Sequence, residues 1–268
     1  MRFSIITPSF NGGIFLEECI KSVLVQQHPD LEIEYIVIDG GSTDNSHHIL
    51  TQYSNSINHI LIEKDTGPAN AINKGFRLAT GDIIAWLNVD DFYFPDTLLR
   101  VQKFMIDYPD ASCCFGSCPI VDEQGAEIRN NITRFKEFFY PFSSRFTYQC
   151  INYISQPALF FRGDAVRKIG YLREDMIAAW DYDFILRLWR QGAAERVKGD
   201  PLAAFRWHEN SISGENFQIQ FQEEYDAAKK DAGALSLQTG LHFLVRWGIV
   251  SIYSTMSIAR SFSRKTKK

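Results

Sequence analysis

The sequence predicts an α/β protein in which helices flank a parallel-centred β-sheet, and three observations lead to this fold class. Short runs such as residues 35–38 (YIVI) are apolar throughout, which is typical of strands covered on both faces. Within the first hundred residues each such run is followed by a loop and then by a helical pattern, as in repeated β-loop-α units. Every one of these loops carries Asp, Asn, Ser or Gly. Because the carboxyl ends of parallel strands share one edge, a binding cleft is predicted there.

The elements follow from local pattern. Pro8 and the turn residues 11–13 end the first strand, Pro29 closes the first helix, and Asp44 is a favoured cap for the second. Past residue 95 we predict a helix over residues 95–108, a strand at 113–118 and a helix that begins near residue 180. Strands are predicted over residues 3–8, 33–38, 59–62 and 83–87, and helices over 14–24, 44–53 and 68–79.

The stretch 80–94 concentrates the chemistry of the chain. Its apolar run 83–87 suits a central parallel strand, and it is followed at once by Asn88, Asp90 and Asp91. Two adjacent carboxylates repel each other unless a cation or a polar partner shares them. A divalent metal that carries substrate phosphates fits this position. The alternative is that Asp90 and Asp91 only cap the helix that begins near Pro95.

Composition limits the classes of protein. The 268 residues are 45% hydrophobic and carry a net charge of −4, which argues against nucleic acid as the main partner. The five cysteines include no Cys-x-x-Cys pair, so packing roles in a reducing compartment are expected. The N-terminus runs directly into a strand pattern, and we therefore expect no signal peptide and a cytoplasmic location.

Neither familiar phosphate-binding motif is present. The turn after the first strand, Asn11-Gly12-Gly13, does not match Gly-x-Gly-x-x-Gly, and the sequence contains no Gly-x-x-x-x-Gly-Lys-Ser/Thr. Phosphate must then be held by a metal, or by scattered amides and Lys74.

Four motifs in this order resemble family 2 glycosyltransferases, which have the GT-A fold. They are TPSFN at residues 7–11, IVIDGGSTD at 36–44, DTGPANAINKG at 65–75 and LNVDD at 87–91. The resemblance covers about the first 210 residues. It divides the chain into a GT-A domain at 1–215, with a nucleotide-sugar half (1–100) and an acceptor and catalytic half (101–215), and a helical C-terminal extension at 216–268.

The resemblance also implies site residues. Asp39 would contact the nucleotide base, Asp90 the ribose, and Asp91 would hold Mg²⁺ or Mn²⁺ against the diphosphate of the donor, for which we expect a UDP-sugar. The predicted nucleotide-sugar site consists of Thr7, Pro8, Ser9, Asn11, Asp39, Ser42, Asp65, Lys74, Asn88 and Asp90.

The second catalytic element is Trp180-Asp181-Tyr182-Asp183, at the start of a helix. The resemblance assigns the general base to Asp181 and a structural role to Asp183, whereas both carboxylates would also suit simple capping. His208 lies in a segment similar to the closing Arg-x-His-x-x-Ser-x-Ser of the family. It is predicted to complete the metal shell or to touch the diphosphate.

Two regions leave their role open. The aromatic-rich stretch 135–153 suits stacking on a sugar or an apolar carrier as well as it suits packing. The C-terminal residues 241–268 combine an apolar stripe with a basic one, which is the pattern of a helix lying on an anionic membrane. The alternative for this segment is packing on its own domain or on a second subunit, as in a homodimer.

These observations predict an inverting, metal-dependent glycosyltransferase whose acceptor is a glycan or a lipid-linked molecule. The alternatives are a nucleotide-sugar-binding partner without catalysis and a nucleotidyltransferase. A binding module has no use for a general base, and a nucleotidyltransferase would want a basic glycine-rich phosphate loop after the first strand.

Overall fold

The structure is a computed structural model and describes residues 1–208, 211 and 216–248. A seven-stranded sheet in the order β10-β6-β9-β4-β1-β2-β3 forms its centre. These strands are β1 (Arg2–Ser9), β2 (Glu32–Asp39), β3 (His59–Ile62), β4 (Ile83–Trp86), β6 (Ala111–Phe115), β9 (Leu159–Arg162) and β10 (Ala193–Arg196).

The central strands are paired as the sequence predicts. β1 lies parallel to β2 and to β4, and β2 lies parallel to β3. The antiparallel member is β9, which runs between β4 and β6. In the register of β1 and β2, Ser9 is opposite Asp39, so both residues reach the carboxyl edge together.

Helices and a small second sheet complete the described part of the chain. The small sheet has the order β5-β11-β7-β8. Its strands are β5 (Phe92–Tyr93), β7 (Ile120–Val121), β8 (Glu127–Ile128) and β11 (Ala203–Arg206). The helices are α1 (Leu16–Leu24), α2 (Ser46–Gln52), α3 (Pro68–Leu78), α4 (Thr97–Asp107), α5 (Asn130–Phe138), α6 (Arg145–Cys150), α7 (Gly163–Ile169), α8 (Trp180–Leu188) and α9 (Phe217–Ala232); residues 237–248 are also helical.

Both faces of the main sheet are covered, as its uninterrupted apolar strands require. Ile36 and Trp86 face a core shared with α3 and α8, whereas Val37 and Ala85 face a second core shared with α1 and α4. All five cysteines are buried and unpaired, in agreement with packing roles.

Candidate active site

A cleft of about 1460 Å³ runs along the carboxyl edge of the main sheet, where topology predicted it. It continues between α5, α8 and α9. The predicted site residues that line it are Pro8, Ser9, Asn11, Asp65, Asn88, Asp90, Asp91, Asp181 and His208.

The other four predicted nucleotide-sugar residues lie behind the cleft wall. Thr7 and Asp39 are completely buried; Thr7 shares a hydrogen bond of 3.1 Å with the Tyr35 hydroxyl. Lys74 Nζ donates to the Lys64 carbonyl at 2.8 Å and pairs with Glu63. The fourth residue, Ser42, bonds to Asp39. Contact between these four residues and a bound nucleotide stays a prediction.

Asp39 organises the loop after β2. Its carboxylate accepts the backbone N–H groups of Gly41 and Ser42 at 3.0 and 2.8 Å, and the Ser42 hydroxyl at 2.6 Å. The Ser42 oxygen in turn accepts the N–H of Asn11 at 2.8 Å, and Asn11 Oδ1 accepts the N–H of Thr43. The loops after β1 and β2 are therefore joined into one rigid wall of the cleft.

Asp91 is 2% exposed, and both of its carboxylate oxygens accept hydrogen bonds from other groups of the protein. Its Oδ1 accepts the backbone N–H of Arg206 at 2.9 Å, and its Oδ2 accepts the Asn88 amide at 3.2 Å. Burial, and then the neighbouring charge of Asp90, raise the pKa of Asp91 well above its usual value. Helix α4 begins only at Thr97, after the intervening strand β5, so the acidic pair does not cap it.

The Asp90 side chain does not share the partners of Asp91 and forms a hydrogen bond with His208. The Asp90 carboxylate keeps 29% of its surface exposed, and its Oδ2 lies 3.0 Å from His208 Nε2. This hydrogen bond raises the pKa of His208. No group of three His, Cys, Asp or Glu side chains suited to a metal occurs within residues 1–208, 211 and 216–248. Two adjacent protein donors still fit Mg²⁺ or Mn²⁺, since such ions usually take several ligands from substrate phosphates and water.

Asp181 lies in the first turn of α8 and lines the cleft. Its Oδ1 accepts the N–H of Tyr182 at 2.8 Å. Burial raises the pKa of Asp181, and the nearby charge of Lys136 opposes that rise. Asp183 is turned away and forms an ion pair of 2.8 Å with Arg187, which is the structural position that the sequence suggested.

Glu223 of α9 accepts the backbone N–H groups of the segment that leads into α8. Its two carboxylate oxygens accept the backbone N–H groups of Ile177, Ala178 and Ala179 at 2.7, 2.9 and 2.9 Å. These residues lead directly into α8, where a carboxylate also meets the positive end of the helix dipole. The sequence contains no spacing signal for this contact, because its partners are more than forty residues apart.

The aromatic stretch divides between packing and surface. Tyr140, Tyr148 and Tyr153 are buried in the core, whereas Phe138 and Phe142 are 64% and 61% exposed. From the same stretch Phe135 lines the cleft. Packing is therefore confirmed for the buried tyrosines, whereas stacking of the exposed aromatic side chains on a sugar or an apolar carrier stays a prediction.

The described part of the C-terminal segment packs on the domain through a side that includes His242 and Val245. His242 is 3% exposed and shares a hydrogen bond of 3.0 Å with the Gln149 carbonyl, whereas Leu244 and Trp247 are 66% and 56% exposed. Residues 249–268, with most of the basic tail, lie outside the described residues. In the part of the chain that the structure describes, no helix has the length and apolar character needed to span a membrane.

Comparison with known proteins shows which family the sequence matches. Residues 4–170 match the family model "Glycosyl transferase family 2". A putative teichuronic acid biosynthesis glycosyltransferase of Bacillus subtilis, TuaG, is 37% identical over 115 residues, which are 42% of this chain and 44% of that protein. The chain spans less than half the length of the curated relatives it matches.

Solved structures share the fold. TarS 1–349 of S. aureus, in complex with UDP-GlcNAc, has a TM-score of 0.67 at 19% identity, covering 91% of this chain and 73% of that one. The mannosyltransferase PcManGT of Pyrobaculum calidifontis, in complex with GDP-Man and Mn²⁺, has a TM-score of 0.64 at 17% identity, covering 96% and 80%.

Proposed function

The chain belongs to glycosyl transferase family 2 and has the GT-A fold, and on this premise we propose that it moves a sugar from a nucleotide diphosphate sugar to an acceptor hydroxyl with inversion at the anomeric carbon. One observation carries the proposal. A single cleft joins the acidic pair at the end of β4 to a separate carboxylate, Asp181, on its other wall.

The donor occupies the sheet edge. Ser9, Asn11 and Asn88 present hydroxyl and amide groups there, next to the glycine-containing loops that allow a phosphate chain to approach the backbone. A UDP-sugar is the donor we favour, because TarS, a neighbour with the same fold, was solved with UDP-GlcNAc.

Asp90 and His208 would hold the divalent metal, Mn²⁺ or Mg²⁺. Both side chains line the cleft, whereas the two oxygens of Asp91 are engaged by Arg206 and Asn88. The sequence-based assignment of the metal to Asp91 stays a prediction, and the geometry favours Asp90. When bound, the ion would neutralise charge on the leaving diphosphate.

Asp181 acts as the general base. Its Oδ1 is held by the Tyr182 N–H, so among the residues that the structure describes Oδ2 is left to take the proton of the acceptor hydroxyl. As that proton leaves, the acceptor oxygen forms its bond to the anomeric carbon while the bond from this carbon to the diphosphate breaks. The nucleoside diphosphate departs from the opposite face, which inverts the configuration.

The acceptor is proposed to be a glycan or a lipid-linked molecule of a cell-surface polysaccharide. The likeness to TuaG, whose name refers to teichuronic acid biosynthesis, supports this class. Residues 241–268 would hold the enzyme at the cytoplasmic face of an anionic membrane, since Phe243, Leu244 and Trp247 are exposed on the described part.

A panel of nucleotide sugars tests the proposal. We expect one donor to release nucleoside diphosphate slowly with water alone and faster with a hydroxyl acceptor, and both rates to fall in excess chelator. Binding of a nucleotide sugar without any release would indicate a non-catalytic partner instead. Incorporation of a nucleotide with release of pyrophosphate would indicate a nucleotidyltransferase.

A further inference from the structure

The cleft contains a second buried carboxyl that the proposed transfer does not use. Glu224 of α9 is 3% exposed and lines the cleft beyond Asp181. Burial, and to a smaller extent like-charge repulsion from Asp181, raises the pKa of Glu224, whereas the charge of Lys136 lowers the pKa of both carboxyls. Glu224 and Asp181 therefore belong to one electrostatic neighbourhood on the acceptor side.

Two amides orient the Glu224 side chain. Asn152 Nδ2 and Gln220 Nε2 donate to Glu224 Oε1 at 3.0 and 3.1 Å. Both bonds end on the same oxygen, so within the described residues Oε2 keeps its lone pairs for another partner.

The surroundings of this group are amphipathic. The carboxyl and the two amides supply hydrogen-bonding groups to this part of the cleft, and all three residues line it. Trp180, Phe217 and Phe221 supply aromatic surface in the same region. A ligand that suits both the polar groups and the aromatic surface has several hydroxyl groups together with apolar C–H faces, as a sugar ring has.

We propose that Glu224, held by Asn152 and Gln220, recognises a second hydroxyl of the acceptor, and that the acceptor is therefore a saccharide rather than a simple alcohol. The inference rests on the proposed glycosyl transfer and deepens it. Asp181 would take the proton of the reacting hydroxyl, while Glu224 would bind a hydroxyl that does not react. Its role is specificity, not chemistry.

Burial raises the pKa of Glu224 to about 7, which suits such a role. Near neutral pH the group is present both as an acid and as a carboxylate. It then donates a hydrogen bond to a hydroxyl oxygen or accepts one from a hydroxyl proton.

The test compares transfer to water with transfer to sugars. Donor hydrolysis and transfer to a panel of octyl glycosides would be measured for the wild type, Glu224→Gln and Gln220→Leu. We expect Glu224→Gln to leave hydrolysis and donor KM within about twofold, and to lower kcat/KM for the glycoside about tenfold to a hundredfold through acceptor KM, because a buried hydroxyl partner is worth about 1–3 kcal/mol.

Asp226→Asn is the matched control, since Asp226 is exposed on the same helix. Thermal unfolding of each variant shows whether it is folded, and Gln220→Leu provides a second route to the same site should Glu224→Gln be unstable. We expect Gln220→Leu to raise acceptor KM in the same direction.

Several results would overturn the inference. One is an unchanged acceptor KM in both variants. Another is a loss of hydrolysis equal to the loss of transfer, which would give Glu224 a structural role. A wild type that hydrolyses the donor but transfers to none of the glycosides, and only to simple alcohols, would refute the saccharide class while keeping the proposed function. A wild type that neither hydrolyses nor transfers any donor would refute both.

Discussion

At the scale of single residues, Asp90 and Asp91 are adjacent in the chain and differ in exposure and in partners. Asp91 is buried and holds β11 through the Arg206 N–H, whereas Asp90 is part-exposed and shares a hydrogen bond with His208. Val89 and Asp90 form a turn after β4, closed by a hydrogen bond of 3.0 Å from the Asp91 N–H to the Asn88 carbonyl, and the two carboxylates leave this turn in different directions. Adjacent carboxylates are thus able to have different roles, one in ligand binding and one in structure.

Substitution of each acid by its amide separates these roles. We expect Asp90→Asn to abolish metal-stimulated turnover with little change in the melting temperature. Asp91→Asn should instead lower stability by about 1–3 kcal/mol, because the Arg206 N–H loses a charged partner. Activity measured during a titration with Mn²⁺ reports the metal requirement of each variant, and thermal unfolding reports its stability. The opposite pattern, with the metal requirement lost only in Asp91→Asn, would return the metal to Asp91.

Asp181→Asn tests the general base. The amide keeps the shape of the side chain, so donor affinity measured by calorimetry should hardly change. Turnover should fall about a hundredfold to ten-thousandfold, the usual range for loss of a general base. Asp183→Asn is the control, and we expect it to cost stability through its ion pair with Arg187 more than rate. Near-normal turnover in Asp181→Asn would move the base role to another carboxylate.

Glu224 also makes stability depend on pH. Its pKa is raised from 4.5 to about 7 by burial, so the folded state binds its proton more tightly than the unfolded state does. The contribution is complete below pH 4.5 and is lost as pH rises towards 7; a shift of this size corresponds to about 3 kcal/mol. We expect Glu224→Gln to reduce the fall in the free energy of unfolding over this window. If the free energy of unfolding falls equally with pH in the wild type and in Glu224→Gln, the raised pKa of Glu224 is contradicted.

At the scale of elements, α9 is joined to the catalytic half of the domain. Ala227 and Ala228 are buried in the core next to α8. Asp231 accepts from Arg145 and Gln149 of α6 at 2.9 and 2.8 Å, and it also pairs with Arg190. The division of the chain at residue 215 stays a prediction, and α9, which follows this point, lines the cleft opposite the sheet edge.

Glu223 is the contact of α9 that bears on catalysis. We expect Glu223→Ala to destabilise the protein by about 1–3 kcal/mol, because three N–H groups before α8 lose a charged acceptor. Since α8 carries Asp181, kcat should fall while donor KM stays nearly constant. Gln222→Ala, on the exposed face of the same helix, is the control. Equal losses in the two variants would mean that the contact does not position Asp181.

At the scale of the whole molecule, residues 237–248 turn a side that includes His242 and Val245 towards the domain. His242 is buried against Gln149, and Phe243, Leu244 and Trp247 are exposed. A helix that buries its histidine and exposes large apolar side chains is suited to a lipid surface or to a second subunit.

Vesicle sedimentation decides between these partners. We expect the intact chain to sediment with vesicles that contain anionic lipid and to be partly released by salt, because the tail beyond residue 259 is basic. A variant that ends at residue 248 should sediment less. Unchanged sedimentation would contradict a membrane role for the tail. A change in solution from the mass of a dimer to that of a monomer on truncation would indicate that the tail forms a homodimer contact.

Local pattern was sufficient to determine the fold class and the edge where the site lies. The apolar runs of β1, β2 and β4 and the loops after them specify a parallel sheet. Ser9, Asn88 and Asp90 come to its carboxyl edge because topology requires it. These features depend on residues a few positions apart, so sequence spacing predicts them.

Only the tertiary structure decided which oxygen atoms face the cleft. Arg206 lies 115 positions from Asp91 in the chain, and Glu223 lies 44 to 46 positions from the N–H groups that it caps. Glu224 approaches Asn152 over 72 positions. Such pairings arise from how α9 packs on α6 and α8 and from the place of β11 in the small sheet, and no short-range periodicity encodes them. The sequence therefore locates the donor edge, whereas the burial of Asp91 and the composition of the acceptor wall follow from long-range packing.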